Sequence, residues 1–200
     1  MTDPKHHKLK NELGDSIKLS HGETIYENAV SLHLQGDLYF AEIEYQKAIQ
    51  AGYVSERLFS NLGTIYQSWG RFQEAVNLYQ RSIQINPDYA SAHMNLGAVY
   101  KEIGSLDKAI TSILKSIDLS PNNYKAFCNL GIIYKSLGCF DKALSSTLSS
   151  LKLKADNPDA YMNLGIIYKD LGDIENALTA TLKCIEINPN SPDAYINLGN

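Results

Sequence analysis

The sequence predicts an all-α fold, a solenoid of antiparallel helix pairs that repeat every 34 residues. Ten of the 13 glycines fall into two series with this spacing, and leucines, tyrosines and alanines keep the same step. The first series is Gly36, Gly70, Gly104, Gly138 and Gly172, and the second is Gly63, Gly97, Gly131, Gly165 and Gly199. A fixed period of about 20 to 50 residues indicates supersecondary units that stack on one another.

Counting 34 repeat positions from Glu56 divides most of the chain into four complete units. These units are 56–89, 90–123, 124–157 and 158–191. A degenerate unit over 22–55 precedes them, and an incomplete unit over 192–200 follows, as expected of a piece of a longer polypeptide or of an end that another chain covers. Residues 1–21 show no period, so we expect a mobile leader there.

Each unit contains the signals of two helices, which are clearest in 158–191. The first helix runs through DAYMNLGIIYKDL and stops at Gly172, because glycine takes the left-handed conformation past a helix end at little cost. Asp173 is the predicted N-cap of a second helix, DIENALTATLKCIEI. That helix ends before Asn188-Pro189, since proline cannot continue it. The short break between the two helices makes them antiparallel.

One side of the first helix is predicted to form the core of each unit. At about 100° per residue, repeat positions 4, 7, 8 and 11 fall on that side. In unit 56–89 they are Phe59, Leu62, Gly63 and Tyr66. Glycine inside a helix costs about 1 kcal/mol relative to alanine. Its recurrence at position 8 therefore indicates that the second helix passes close by.

Composition and motifs exclude several function classes. The net charge is −4 and no run of Lys or Arg occurs, which disfavours nucleic-acid binding. No apolar stretch approaches the roughly 18 residues of a membrane span. Three cysteines without a CxxC pair disfavour a disulfide framework or a zinc site, so we expect a cytoplasmic protein. The common motifs of metalloproteases, serine hydrolases and phosphate loops are absent, so we expect no enzyme activity, cofactor or metal.

The repeat resembles that of the tetratricopeptide-repeat family. The family motif is present as Phe59, Leu62, Gly63, Tyr66, Ala75, Tyr79, Ser82 and Pro87, and the match recurs in the next three units. The chain departs from the motif at Asn28, Thr147, Thr181 and Ala155. The resemblance implies a right-handed superhelix whose concave groove is lined by the first helices and binds a protein or peptide.

The face expected to line the groove carries one asparagine per unit, at repeat position 6. This asparagine ladder is Asn61, Asn95, Asn129, Asn163 and Asn197. Asparagine is a poor helix former, but its amide has both a donor and an acceptor and could bind a peptide backbone. Alternatively, each amide only bonds a neighbouring helix. The ladder is similar to that in the repeat domain of O-linked N-acetylglucosamine transferase.

An apolar strip accompanies the ladder on the same face, and charges flank it. The strip is Met94, Cys128, Ile132, Met162, Ile166 and Ile196. The basic residues are Arg57, Lys101, Lys125 and Lys135, and acidic residues follow at Asp159, Asp170 and Asp193. Regular exposed apolar residues favour a partner, and the change of sign would orient a ligand. The alternatives are packing between adjacent units and an ordinary solvated surface.

Three functions remain open from the sequence. The first is an interaction module that binds an extended peptide through the ladder and the apolar strip. The second is the substrate-docking N-terminal arm of a larger enzyme, most plausibly a glycosyltransferase, by resemblance alone. The third is a scaffold that contacts partners through its second helices. A carboxylate clamp of the kind that grips chaperone C-termini is disfavoured, because Asn129 stands where that subset has arginine.

Overall fold

The computed structural model describes residues 21–199, and every regular element in that range is a helix, which confirms the all-α class. Helix α1 is described over 21–34, so the leader predicted for 1–21 lies outside the described residues except for His21. The remaining helices are α2 (Leu38–Gln50), α3 (Glu56–Ser68), α4 (Phe72–Ile85), α5 (Ala90–Glu102), α6 (Leu106–Leu119), α7 (Tyr124–Ser136), α8 (Phe140–Leu153), α9 (Pro158–Asp170), α10 (Ile174–Ile187) and α11 (Pro192–Gly199). None of the described helices is long and apolar enough to cross a membrane.

The chain divides into two compact units, Met1–Ala92 and His93–Asn200. In the first unit, α3 and α4 pack as a pair and α2 contacts α3. In the second unit, α7 pairs with α8 and α9 pairs with α10, while α11 packs on α10 and α9. The turns between paired helices contain glycines with φ between 70° and 83°, a conformation that other residues rarely adopt. The predicted N-cap is also observed, since the Asp173 side chain accepts from the Asn176 amide at 3.2 Å.

The predicted core side is buried throughout in α3, whereas in α5, α7 and α9 positions 7 and 8 are buried and positions 4 and 11 are half-buried. The position-8 glycines lie against the second helix of their pair. Phe59 and Leu62 are fully buried in α3. A Cβ built on Gly63 would lie 2.7 Å from Tyr79 Cε1, and one on Gly97 would lie 2.6 Å from Ile113 Cγ1. Real Cβ atoms essentially never come so close to another heavy atom. The glycine is therefore required by the packing of the pair.

The first helices bury a second row of side chains that the sequence analysis did not assign to either face. This row occupies repeat positions 3 and 10 and is fully buried in every complete unit: Leu58 and Ile65, Ala92 and Val99, Ala126 and Ile133, Ala160 and Ile167. In the second unit α7 contacts α6 and α9 as well as α8. A first helix thus has neighbours on two sides, and its buried surface is wider than the single stripe predicted.

We expect Gly131→Ala to destabilise the chain by about 1–3 kcal/mol through overpacking. The added Cβ would overlap the hydroxyl of Thr147, which is buried and donates to the Ala143 carbonyl at 2.8 Å. In a Thr147→Ala background that hydroxyl is gone, so the same substitution should cost much less. Denaturant unfolding of the four proteins of this double-mutant cycle measures the coupling. If the effects of the two substitutions on the free energy of unfolding were additive, that result would contradict the contact between Gly131 and Thr147.

Candidate functional site

A cleft of about 260 Å³ in the second unit brings together several of the predicted groove residues. It is lined by Met94, Tyr124, Lys125, Cys128, Asn129, Asn157 and Asp159. These residues come from α5, from the first turns of α7 and from the start of α9. One asparagine of the ladder, two members of the apolar strip and one of the predicted cations therefore lie around one opening.

Cys128 forms part of the apolar wall of this cleft and is only 6% exposed. Its sulfur accepts a hydrogen bond from Asn163 Nδ2 at 3.2 Å. Burial raises the pKa of the Cys128 thiol to about 11, and the nearby Asp159 carboxylate also raises it. The thiol is therefore protonated at neutral pH, as expected of an inert cysteine.

Three asparagines of the ladder have partners within the chain. Burial raises the pKa of the Tyr45 hydroxyl, and Asn61 lies close enough to that group to lower this pKa in part. Asn163 donates to Cys128, and Asn197 Nδ2 donates to Thr181 Oγ1 at 3.0 Å. For these three asparagines the structure agrees with the alternative that the amide bonds a neighbouring helix. Asn95 and Asn129 make no side-chain hydrogen bond to any residue within 21–199, and both are half-buried.

Two of these contacts share one geometry. Tyr45 and Thr181 each stand sixteen residues before their asparagine, at repeat position 24 of the preceding second helix. The residue sixteen before Asn129 is Ile113, whose side chain has no hydrogen-bonding group. The amide of Asn129 is therefore left available at the cleft.

The apolar strip is only partly accessible. Met94 is half-buried and its sulfur accepts from Asn123 Nδ2 at 3.4 Å, while Asn123 Oδ1 accepts from the Ala126 amide at 3.3 Å as the cap of α7. Three further members are half-buried, namely Ile132, Met162 and Ile166. Ile196 is 61% exposed on α11.

The predicted flanking charges differ in their surroundings. In the first unit Arg57 is exposed. In the second, Lys101 Nζ lies 2.8 Å from Glu102 Oε1, and Lys135 is half-buried. Lys125 and Asp159 line the same cleft, so the predicted change from basic to acidic residues along the groove falls inside it. The two later acids, Asp170 and Asp193, are exposed.

The sequence analysis missed two lining residues, Tyr124 and Asn157. Both stand where one repeat meets the next, at positions 1 and 34. Asn157 is only 4% exposed, and its Nδ2 lies 3.3 Å from Ser150 Oγ instead of capping α9. The sequence signal was present, since asparagine recurs at position 34 in Asn123. Within 21–199 no group of three or more His, Cys, Asp or Glu residues could hold a metal ion.

Family models for tetratricopeptide repeats match the chain. A model described as TPR repeat matches 63–104, and models described as tetratricopeptide repeat match 90–123, 112–145 and 158–191. Together they span more than half of the chain. No curated protein sequence matches it.

Several solved structures are similar in fold. A crystal structure of MamA superposes with a TM-score of 0.68 at 24% identity and covers 80% of this chain and 94% of its own. YrrB, described as a TPR protein with an unusual peptide-binding site, has a TM-score of 0.67 at 21% identity and coverages of 88% and 91%. The Cut9–Hcn1 heterotetramer has a TM-score of 0.81 at 20% identity, and the match covers 89% of this chain and 35% of that one. At these identities the likeness shows the fold alone, and the resemblance to O-linked N-acetylglucosamine transferase stays a prediction.

We expect Asn197→Ala to loosen α11, because it removes the bond to Thr181 that is worth about 0.5–1.5 kcal/mol. Asn129→Ala is the matched control, since both changes gain helix propensity equally but only the first removes a hydrogen bond within the chain. Hydrogen exchange over α11 should become faster in the first variant, and exchange over α7 should not become faster in the second. Equal effects on the two helices would show that the two asparagines do not differ.

Proposed function

The chain belongs to the tetratricopeptide-repeat family, and from that premise we propose that it is a protein-interaction scaffold that binds an extended peptide of a partner protein. The proposal places the peptide along the face of α5, α7 and α9, over the 260 Å³ cleft of the second unit. The observation that carries it is the unbonded amide of Asn129 beside the apolar side chains of Met94 and Cys128. The peptide-binding site named for YrrB agrees with this class of function.

Asn129 and Asn95 provide the contacts to the peptide backbone in this proposal. A side-chain amide can donate to a peptide carbonyl and accept from a peptide N–H, so it recognises the backbone and not its side chains. Packed helices lie about 8–10 Å apart, and an extended chain advances about 3.3 Å per residue. Successive asparagines would therefore meet about every third residue of the peptide.

Side-chain preference comes from the rest of the cleft. Met94 and Cys128 favour an apolar residue at the level of Asn129. Lys125 and Asp159 stand on the same opening, so an acidic residue of the peptide is favoured near Lys125 and a basic residue near Asp159. Charges placed in this way direct the orientation and the rate of association more than the affinity.

We expect Asn129→Ala to weaken a bound peptide about 2- to 12-fold, the equivalent of about 0.5–1.5 kcal/mol for one hydrogen bond. Peptides of about twelve residues are first selected on the chain from a random display library. Isothermal titration calorimetry then compares the wild type with Asn129→Ala and with Asn77→Ala, an exposed asparagine on α4.

The backbone contact has its own control. Methylating the peptide nitrogen that faces Asn129 should cost about as much as removing the asparagine, and the two losses should not add. Undiminished affinity of Asn129→Ala for every selected peptide would refute the proposed grip.

A further inference from the structure

The tyrosine at repeat position 11 carries a cation over its ring in three helix pairs. Arg71 lies 4.1 Å from the centroid of Tyr66 in the first unit. In the second unit, Lys108 Nζ lies 5.7 Å from the Tyr100 centroid, and Lys142 Nζ lies 5.5 Å from that of Tyr134. A cation within about 6 Å of an aromatic face is attracted by the negative charge of that face. The pairing is thus a repeated feature of the fold.

The pair α9–α10 keeps the tyrosine but has no such cation. Asn176 stands at repeat position 19, where the two preceding pairs have Lys108 and Lys142. Its side chain turns to the helix start, and its Nδ2 donates to Asp173 Oδ2 at 2.7 Å. Among residues 21–199 no cationic side chain lies over the ring of Tyr168.

An open cleft occupies the place that the lysine leaves. It measures about 500 Å³ and is lined by Tyr161, Leu164, Tyr168, Asn176, Thr179, Ala180, Leu182, Lys183 and Glu186. None of these residues lines the cleft at Asn129. Two tyrosines and the apolar Leu164 and Leu182 provide its walls.

The cations near this cleft are already engaged or lie elsewhere. Lys183 Nζ lies 2.7 Å from Glu186 Oε1, so these two residues form an ion pair at the rim of the cleft. The Glu186 side chain is 67% exposed and the Lys183 side chain is 42% exposed. Lys169 follows Tyr168 but lines a separate cleft with Ile174 and Asn197. The ring of Tyr168 therefore has no cation over it, and the positive charge of Lys183 at the rim of the cleft is paired with Glu186.

We propose that this cleft is a second binding site, which receives a lysine or arginine side chain of a partner protein against the ring of Tyr168. The chain itself shows what fits, because Lys108 and Lys142 fill the equivalent place in the preceding pairs. Asn176 is short enough to leave the place open, and Glu186 offers a carboxylate at its rim. A partner would supply the missing cation from outside.

The test titrates the full chain with N-acetyl-arginine amide and observes the aromatic ring signals of the tyrosines by NMR. N-acetyl-citrulline amide, which has nearly the same shape without the charge, is the control probe. We expect the Tyr168 signals to shift with arginine and to respond at least about fivefold more weakly to citrulline. Equal responses to both probes would overturn the proposal, as would shifts confined to the surroundings of Glu186.

Two reciprocal variants test the internal comparison. Asn176→Lys supplies the lysine of the other pairs and should abolish the arginine-dependent shift of Tyr168. Lys142→Asn vacates the place beside Tyr134 and should create an arginine-dependent shift there. Both residues are exposed on the second helices, and circular dichroism verifies that the variants remain folded. Wild-type binding by folded Asn176→Lys would refute the assignment.

Discussion

In each of the four complete repeats the helix pair closes where a glycine of the first helix lies against the side chain at repeat position 24 of the second helix. At Gly165 the group in contact is Thr181 Oγ1, which a Cβ on the glycine would approach to 2.6 Å. The same hydroxyl accepts the bond from Asn197 of the following helix. At this pair one side chain both limits how closely the two helices pack and binds the next asparagine. The distance between the two helices of a pair follows from this contact.

The residue at position 24 accounts for the surroundings of three of the five asparagines. Asn95 follows the hydroxyl of Tyr79 and still makes no side-chain hydrogen bond within 21–199, and Asn163 bonds Cys128 rather than Thr147. Tyr45 and Thr181 offer a hydroxyl, and the asparagine that follows each is engaged. Ile113 offers none, and the amide of Asn129 stays unbonded at a cleft that also contains a cation and an anion. In the proposed function, the contacts to the peptide backbone then rest on fewer asparagines than the ladder contains. The position-11 tyrosines also differ in their surroundings, since Asn176 stands at position 19 where two other pairs have lysine, and a second cleft lies beside Tyr168.

Much of this arrangement follows from periodicity. The 34-residue step, the turn glycines and the proline that ends α10 predict helices close to those observed. The sequence analysis missed the buried row at positions 3 and 10, which includes Ala126 and Ile133. The 34-residue period identifies equivalent residues in different repeats, but it does not identify the helix that each of them contacts. The partners of Asn61, Asn163 and Asn197 were unpredictable for the same reason, since each depends on a residue of another helix.

The account makes the helix pair the unit of cooperativity, because the glycine contact joins two helices of one repeat. In a repeat protein, stability is the sum of unit and neighbour terms, and parts of the stack can open separately. Native-state hydrogen exchange in increasing denaturant measures the free energy of opening for each helix. We predict one common value for α7 and α8, and another common value for α9 and α10. If α7 and α9 opened together as one set, and α8 and α10 as another, the glycine contact would not be what holds the fold together.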